Sequence, residues 1–179
     1  QWREKPNTYI ENLLSSEEPG TLGKVLRDQG LAQTVSVWSD PERYGSDGVF
    51  AINIVMTEKG MTARDEIIAA TFAYIDLVKK SGVQEAYYSE LKAIAEQQFA
   101  EQPKTPSLAL ARELAAKMLD LPSRHVLDAS VVFAPFNAEV INSVLAQMTP
   151  ERARIFHIDN TEEAQTPIPF YEGAYRVRK

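Results

Sequence analysis

The chain has 179 residues, of which 44% are hydrophobic, and its formal net charge is −6. One sizeable core can be buried at this length, and the negative charge disfavours nucleic acid as a partner. The absence of cysteine excludes disulfides, thiolate metal sites and a cysteine nucleophile, and no run approaches the ~20 apolar residues of a membrane-spanning helix.

Two short helices are predicted at 7–14 and 21–29, where apolar residues recur at helical spacing. Ser16 or Thr21 is expected to cap the second helix, and Gly30 is expected to end it in a left-handed conformation. The chain opens with "QWREKPNTYI", which contains neither an initiator methionine nor a leader. We therefore expect it to be a fragment of a longer protein.

The stretch "SSEEPGTLGKVLRDQG" at 15–30 superficially resembles a phosphate-binding loop. A P-loop needs four residues between its first glycine and the Gly-Lys pair, followed by Ser or Thr. Gly20 and Gly23 are too close together, and Val25 stands where the hydroxyl should be. The sequence therefore favours a helix start over a nucleotide site.

An antiparallel hairpin is predicted next, from two strands at 31–39 and 49–57. The first strand alternates so that Val35 and Val37 share one face, and the second is rich in β-branched residues. The intervening segment 40–48 is rich in Pro, Gly and Asp and is expected to be a loop.

A helical region follows the hairpin. Five helices are predicted, at 62–80, 84–102, 107–119, 123–129 and 138–148, the last two capped by Ser123 and Asn137. Residues 152–159, "RARIFHID", are predicted to return as a strand. The order of elements predicts an α+β fold, in which an antiparallel sheet is covered on one face by helices in a two-layer sandwich.

The predicted organisation is one α+β domain at 1–159 followed by an extended segment at 160–179, which contains Pro167, Pro169 and Gly173. Three strands make a thin sheet with unpaired edges. We therefore expect the first strand or strands of this domain to lie upstream of Gln1.

Metal and hydrolytic chemistry have little support in the residues. The chain has two histidines, His125 and His157, and each has one nearby carboxylate, Asp128 or Asp159 respectively. Zinc catalysis needs three protein ligands, and each pair supplies only two. We therefore expect each carboxylate to orient the imidazole of its histidine and not to complete a zinc site.

Nucleophilic and acid–base catalysis are equally unsupported. No G-x-S-x-G nucleophile turn is present. The adjacent acids Glu17–Glu18 and Glu162–Glu163 are typical of solvated loops and helix starts. A free-standing enzyme with carboxylate chemistry is therefore the least favoured function.

Four segments in order resemble the second domain of the pitrilysin and insulin-degrading enzyme family of zinc metallopeptidases. "EEPGTLGKVLRDQGLAQTVSV" is similar to the family's helix start and turn into a strand, and "GVFAINIVMTEKGM" to its next strand and turn into a long helix. "FNAEVINSVLAQMTPERARIFHI" and "PFYEGAYR" resemble its later helix, turn and closing segment. The resemblance covers nearly the whole chain and implies a metallopeptidase LuxS/MPP-like fold.

The resemblance implies that this part of the protein is not catalytic. The family's inverted His-x-x-Glu-His motif, with a downstream glutamate, lies in its first domain and is absent here. We expect this chain to hold no metal or cofactor and to be inactive alone. Its implied partners are peptides and a zinc-bearing catalytic domain of the same polypeptide, and the implied location is the periplasm.

The resemblance also implies a peptide-binding strand edge. In the insulin-degrading relatives this domain helps enclose the substrate and offers a strand edge to its N-terminal segment. The matching residues here are Thr34, Val35, Ser36, Val37 and Trp38. Where those relatives carry a Gly-Gly pair, this chain has valine and tryptophan, so the edge is either narrowed for peptide or purely structural.

A second function remains open. Family relatives that lack a working zinc site serve as core subunits of respiratory complexes or as noncatalytic processing-peptidase subunits. The chain could belong to such a scaffold protein, and an upstream His-x-x-Glu-His motif would distinguish the two cases.

Overall fold

The structure is a computed structural model that describes residues 2–44 and 47–177. Among these residues the elements come in runs, which are two α-helices, two strands, five α-helices and two very short strands. The helices are α1 (Pro6–Ser15), α2 (Leu22–Asp28), α3 (Glu58–Thr62), α4 (Arg64–Ser81), α5 (Glu85–Ala100), α6 (Ser107–Lys117) and α7 (Ala138–Leu145). The strands are β1 (Ala32–Tyr44), β2 (Asp47–Met56), β3 (Thr166–Pro167) and β4 (Ala174–Tyr175).

The β1–β2 pair forms the predicted antiparallel hairpin. Val35 pairs with Ile54 and Val37 with Ile52, and all four side chains contribute to the core. Because side chains alternate along a strand, the residues between them lie on the opposite, outer face. This alternation is the local reason why the sequence forms a half-buried hairpin.

The larger of two hydrophobic clusters joins α1, α4, α5 and α7. Ile10, Leu14, Ile75 and Ile141 are each at most 2% exposed at its centre. Phe50 and Ile52 of β2 and Val37 of β1 pack against it as partly buried residues. The helices therefore bury the inner face of the hairpin.

The smaller cluster lies between α2, the start of β1 and α4. It is built from Leu22, Leu26, Leu31, Val35 and Ile67, with Ala32. Gly60 of α3 approaches this region so closely that an added Cβ would lie 2.0 Å from the carbonyl oxygen of Leu31. The turn from β2 into α3 therefore requires a glycine at this position.

Helix ends follow the predicted capping in part. Asn137 accepts hydrogen bonds from the amides of Glu139 and Val140, as predicted, and Gly30 has the expected positive φ of 68°. Thr21 precedes α2 but donates its hydroxyl hydrogen to the carbonyl of Glu18 and makes no cap bond. The capping role predicted for Thr21 is therefore wrong.

The predicted loop at 40–48 is largely wrong. β1 continues to Tyr44 and β2 begins at Asp47, while residues 45–46 lie outside the described residues. The ladder register becomes irregular between Asp40 and Tyr44. Proline is tolerated at such irregularities because it has no amide to donate, so Pro41 does not end the strand.

The helix predicted at 62–80 is observed as the single helix α4, but its predicted start is wrong by two residues. α3 ends at Thr62 and α4 begins at Arg64, because Ala63 between them is non-helical, with φ −116° and ψ 31°. The helix predicted at 123–129 is also wrong. Only Ser123–His125 forms a short 3-10 helix, which starts after Pro122 and has no side-chain cap.

The strand predicted at 152–159 does not form. The segment carries Ile155, Phe156 and Ile158, which are 58%, 77% and 92% exposed, and no strand is assigned to it. A β-strand needs a neighbouring strand with which its backbone can pair. The local sequence pattern predicted alternating side chains, but it does not show whether such a neighbour is present. Beyond it, Thr166–Pro167 and Ala174–Tyr175 pair as the small β3–β4 hairpin.

Candidate functional site

The five predicted edge residues all lie in the regular part of β1. Thr34, Ser36 and Trp38 are exposed on the outer face, whereas Val35 is buried and Val37 is partly buried. Their cross-strand partners run from Val55 to Ala51 without irregularity. The strand thus presents two small polar side chains and one aromatic ring away from the core.

One edge of β1 is taken by β2. Within residues 2–44 and 47–177 the sheet that contains β1 has two strands, so no third strand pairs with the other edge of β1. α1 approaches the end of this strand, where the Asn7 amide donates a hydrogen bond to the Ser39 hydroxyl at 2.9 Å.

The histidines form the pairs that the sequence predicted. His125 Nδ1 lies 3.0 Å from an Asp128 carboxylate oxygen, and its ring also packs against Trp2 at a centroid distance of 5.2 Å. His157 Nε2 lies 4.0 Å from an Asp159 oxygen. Neither pair brings a nucleophilic side chain to the imidazole.

A second carboxylate joins the His157 pair. One ligand atom each from His157, Asp159 and Glu162 lie within 4.8 Å of one another, which is the kind of group that can hold a metal ion. Arg64 of α4, however, makes an ion pair with Glu162 and lies 3.0 Å from His157 Nδ1. Arg176 adds a second cation at 2.8 Å from Glu162.

This cluster is balanced by its own cations. Two carboxylates meet two guanidinium groups, so the cluster is neutral when His157 is neutral. The pKa of the Glu162 carboxyl is held below its ordinary value, first by the hydrogen bond from Arg64. The pKa of Asp159 is lowered mainly by the Thr161 hydroxyl, which donates to it at 2.7 Å. The arrangement is an ion-pair cluster that ties the segment after α7 to α4.

This cluster could not be predicted from local spacing, because Arg64 and Glu162 are 98 positions apart. Only the pairing of His157 with Asp159 was visible as local spacing. The catalytic zinc that the resemblance implies does not fit these residues, since the chain contains no His-x-x-Glu-His sequence. Among the described helices, none is long and apolar enough to cross a membrane.

Comparison with known proteins gives matches along the whole chain. The family model for the peptidase M16 inactive domain matches residues 1–95, and the model for the middle or third domain of peptidase M16 matches residues 99–179. The two matches meet at the end of α5. The first of them alone covers more than half of the chain.

Individual relatives agree with the family models. Protease 3 of Salmonella typhimurium and Protease 3 of Escherichia coli K12 are each 34% identical over 179 residues, which is 100% of this chain and 19% of theirs. Insulin-degrading enzyme-like 2 of Arabidopsis thaliana is 29% identical over 99% of this chain and 18% of its own. The chain therefore spans about a fifth of the length of these relatives.

A solved structure shows the same fold. The crystal structure of pitrilysin matches with a TM-score of 0.89 and 34% identity, over 94% of this chain and 18% of the pitrilysin chain. The chain belongs to the peptidase M16 family, and its first half matches the inactive domain of that family.

Proposed function

We propose that this chain is a non-catalytic part of a pitrilysin-type zinc metalloendopeptidase, which packs beside the catalytic domain and helps enclose and bind peptide substrates. The observation that carries the proposal is the match of residues 1–95 to the inactive domain of the family. Zinc belongs to a different domain of the parent protein in this proposal. A periplasmic location remains a prediction from the resemblance to pitrilysin.

Peptide binding is assigned to the second edge of β1. An exposed strand edge offers main-chain donors and acceptors to any extended peptide, with little demand on its sequence. Natural edge strands are usually protected from such pairing by charged residues, proline or bulges. Residues 33–39 of β1 contain no charged residue and no proline, and their register from Thr34 to Ser39 is regular. This edge therefore lacks the features that prevent strand addition.

The two-layer sandwich predicted from the sequence is kept as part of this proposal. The helices bury one face of the β1–β2 hairpin, and we assign the further strands of the sheet to other parts of the parent protein. A single domain over 1–159 with an extended segment at 160–179 likewise remains a proposal. The contact of Arg64 with His157 supports it, because it joins residues on both sides of the boundary between the two family models.

Fluorescence anisotropy of a labelled extended peptide, titrated with the 179-residue chain, tests the binding role. The matched control is the same peptide with N-methyl groups on five consecutive central amides, which cannot donate main-chain hydrogen bonds. We expect the unmethylated peptide to bind at least tenfold more tightly. Equal affinity of the two peptides, or binding of neither, would exclude pairing at a strand edge.

The sequence of the parent protein upstream of this segment tests the enzymatic context. A His-x-x-Glu-His motif followed by a downstream glutamate would support an active endopeptidase, and chelation should then abolish peptide hydrolysis by the full-length protein. Absence of the motif would instead support the scaffold function described above. In that case this chain would belong to a core or regulatory subunit without peptidase activity.

A further inference from the structure

The outer face of β1 carries small polar side chains at one end and a large aromatic side chain at the other. Thr34 and Ser36 are small and polar, and Trp38, two residues further on, exposes 39% of its surface. The inward-facing residues Val35 and Val37 belong to the buried or partly buried core. Any discrimination among peptide side chains by this strand must therefore come from its outer face, where Trp38 is the large apolar group.

Trp38 stands on the outer face of β1 beside small or polar cross-strand neighbours on β2. Its cross-strand partner is Ala51, a small residue, and the partner of Ser36 on the same face is Asn53. In a strand added at the other edge, the residue opposite Trp38 would have its Cβ about 4.5–5.5 Å from that of the tryptophan. A side chain of aromatic size would cover part of the exposed surface of the indole at this separation, whereas alanine would cover less of it.

We infer that Trp38 makes this edge selective for extended peptides that place an aromatic or bulky aliphatic residue opposite it. The inference rests on the proposed function, because it needs a peptide paired with β1. It goes further in naming the substrate class and the residue that selects it. The peptide residue two positions away lies opposite Ser36 and meets no comparable apolar surface.

The test compares two labelled peptides that differ at one central residue, phenylalanine in one and alanine in the other. Cross-strand aromatic pairs predict a preference of about two- to tenfold for phenylalanine. Trp38→Ala should bring the ratio of the two dissociation constants to about one. The phenylalanine peptide loses its contact with the indole, whereas the affinity of the alanine peptide changes little. Trp38→Phe should keep the preference, which separates loss of the aromatic ring from a general disturbance of the strand.

Val55→Ala is the matched control. Val55 is 52% exposed on the outer face of β2, one strand away from the proposed peptide, so its removal should leave the ratio unchanged. A phenylalanine preference that survives Trp38→Ala would overturn the inference. So would tighter binding of a third peptide with arginine at the central position, because the ring would then be recognising a cation.

The N-methylated peptide separates this inference from the proposed function. If N-methylation blocks binding but phenylalanine and alanine peptides bind equally, the edge binds peptide and the selectivity of Trp38 is refuted. If N-methylation has no effect, pairing at the edge is refuted, and the inference fails with it. Loss of binding on N-methylation together with a Trp38-dependent preference supports both.

Discussion

Removal of the Tyr88 hydroxyl tests whether the two regions matched by separate family models fold as one unit. Tyr88 lies in α5, is 4% exposed, and its hydroxyl oxygen is 3.0 Å from the carbonyl oxygen of Ala134. The carbonyl oxygens of Glu4 and Arg3 lie further away, at 3.3 and 3.5 Å. A hydroxyl has one hydrogen, so the shortest contact identifies Ala134 as its main acceptor.

The expected loss of stability in Tyr88→Phe depends on whether each carbonyl near the hydroxyl accepts a hydrogen bond from another group. Arg3 keeps a hydrogen bond from the Ala134 amide at 2.8 Å, so its carbonyl does not depend on Tyr88. The Ala134 carbonyl loses its donor in Tyr88→Phe. A net hydrogen bond contributes about 0.5–1.5 kcal/mol, and an unsatisfied buried group costs about 1–3 kcal/mol. We expect the free energy of unfolding to fall by about 1–2 kcal/mol, which lowers Tm by about 2–8 °C.

Urea denaturation of the 179-residue chain, followed by circular dichroism, measures this change. The neighbouring substitution Tyr87→Phe is the matched control, because no hydrogen bond of the Tyr87 hydroxyl is found among the described residues. Tyr87→Phe should change the free energy of unfolding by less than about 0.5 kcal/mol. Equal effects of the two substitutions would refute the assignment of Tyr88 as the link. A biphasic transition in the unsubstituted chain would refute the single folding unit.

Two further predictions concern the approach of α3 to β1 and the ion-pair cluster. Gly60→Ala should destabilise the chain by about 1–3 kcal/mol in the same urea assay, because the new Cβ overlaps the Leu31 carbonyl; Gly23→Ala, where a Cβ meets its nearest atom at 3.5 Å, is the control. Arg64→Gln should raise the pKa of the Glu162 carboxyl towards its ordinary value of 4.5, as read by carboxyl NMR. Because the folded-state pKa is lowered, the stabilisation is present above pH 4.5 and is lost as the pH falls through the folded-state value. An unchanged pKa in Arg64→Gln would show that the contact does not form in solution.

Much of the helical layer was predictable because its signals are local. The helix predicted at 7–14 is observed as Pro6–Ser15, and that predicted at 84–102 as Glu85–Ala100. Apolar residues at helical spacing define which face is buried, and the break before Pro103 ends α5 independently of its neighbours. The short helix α3 was not predicted, because its five residues, EKGMT, carry no apolar helical period.

The candidate site was predictable only where it follows from the alternation of β1. That pattern separates Val35 and Val37, which face the core, from the exposed outer residues, and the structure confirms the separation. Alternation says nothing about the second edge of the strand, since pairing depends on which other strand is nearby. The ion-pair cluster around Arg64 was not predictable, because its partners come from segments far apart in the chain.

The β1–β2 hairpin forms, whereas the strand predicted at 152–159 does not, and the reason for this difference also bears on function. β1 and β2 are consecutive and only two residues apart in the sequence, so pairing them costs little loop entropy. Residues 152–159 have no such neighbour in sequence and could pair only by closing a long loop onto the hairpin. Their apolar side chains Ile155, Phe156 and Ile158 stay exposed in this structure. An extended peptide of another molecule faces no loop-closure cost at the second edge of β1, although it loses translational and rotational freedom on binding. In the function proposed above, occupancy of that edge therefore depends on the concentration of the peptide.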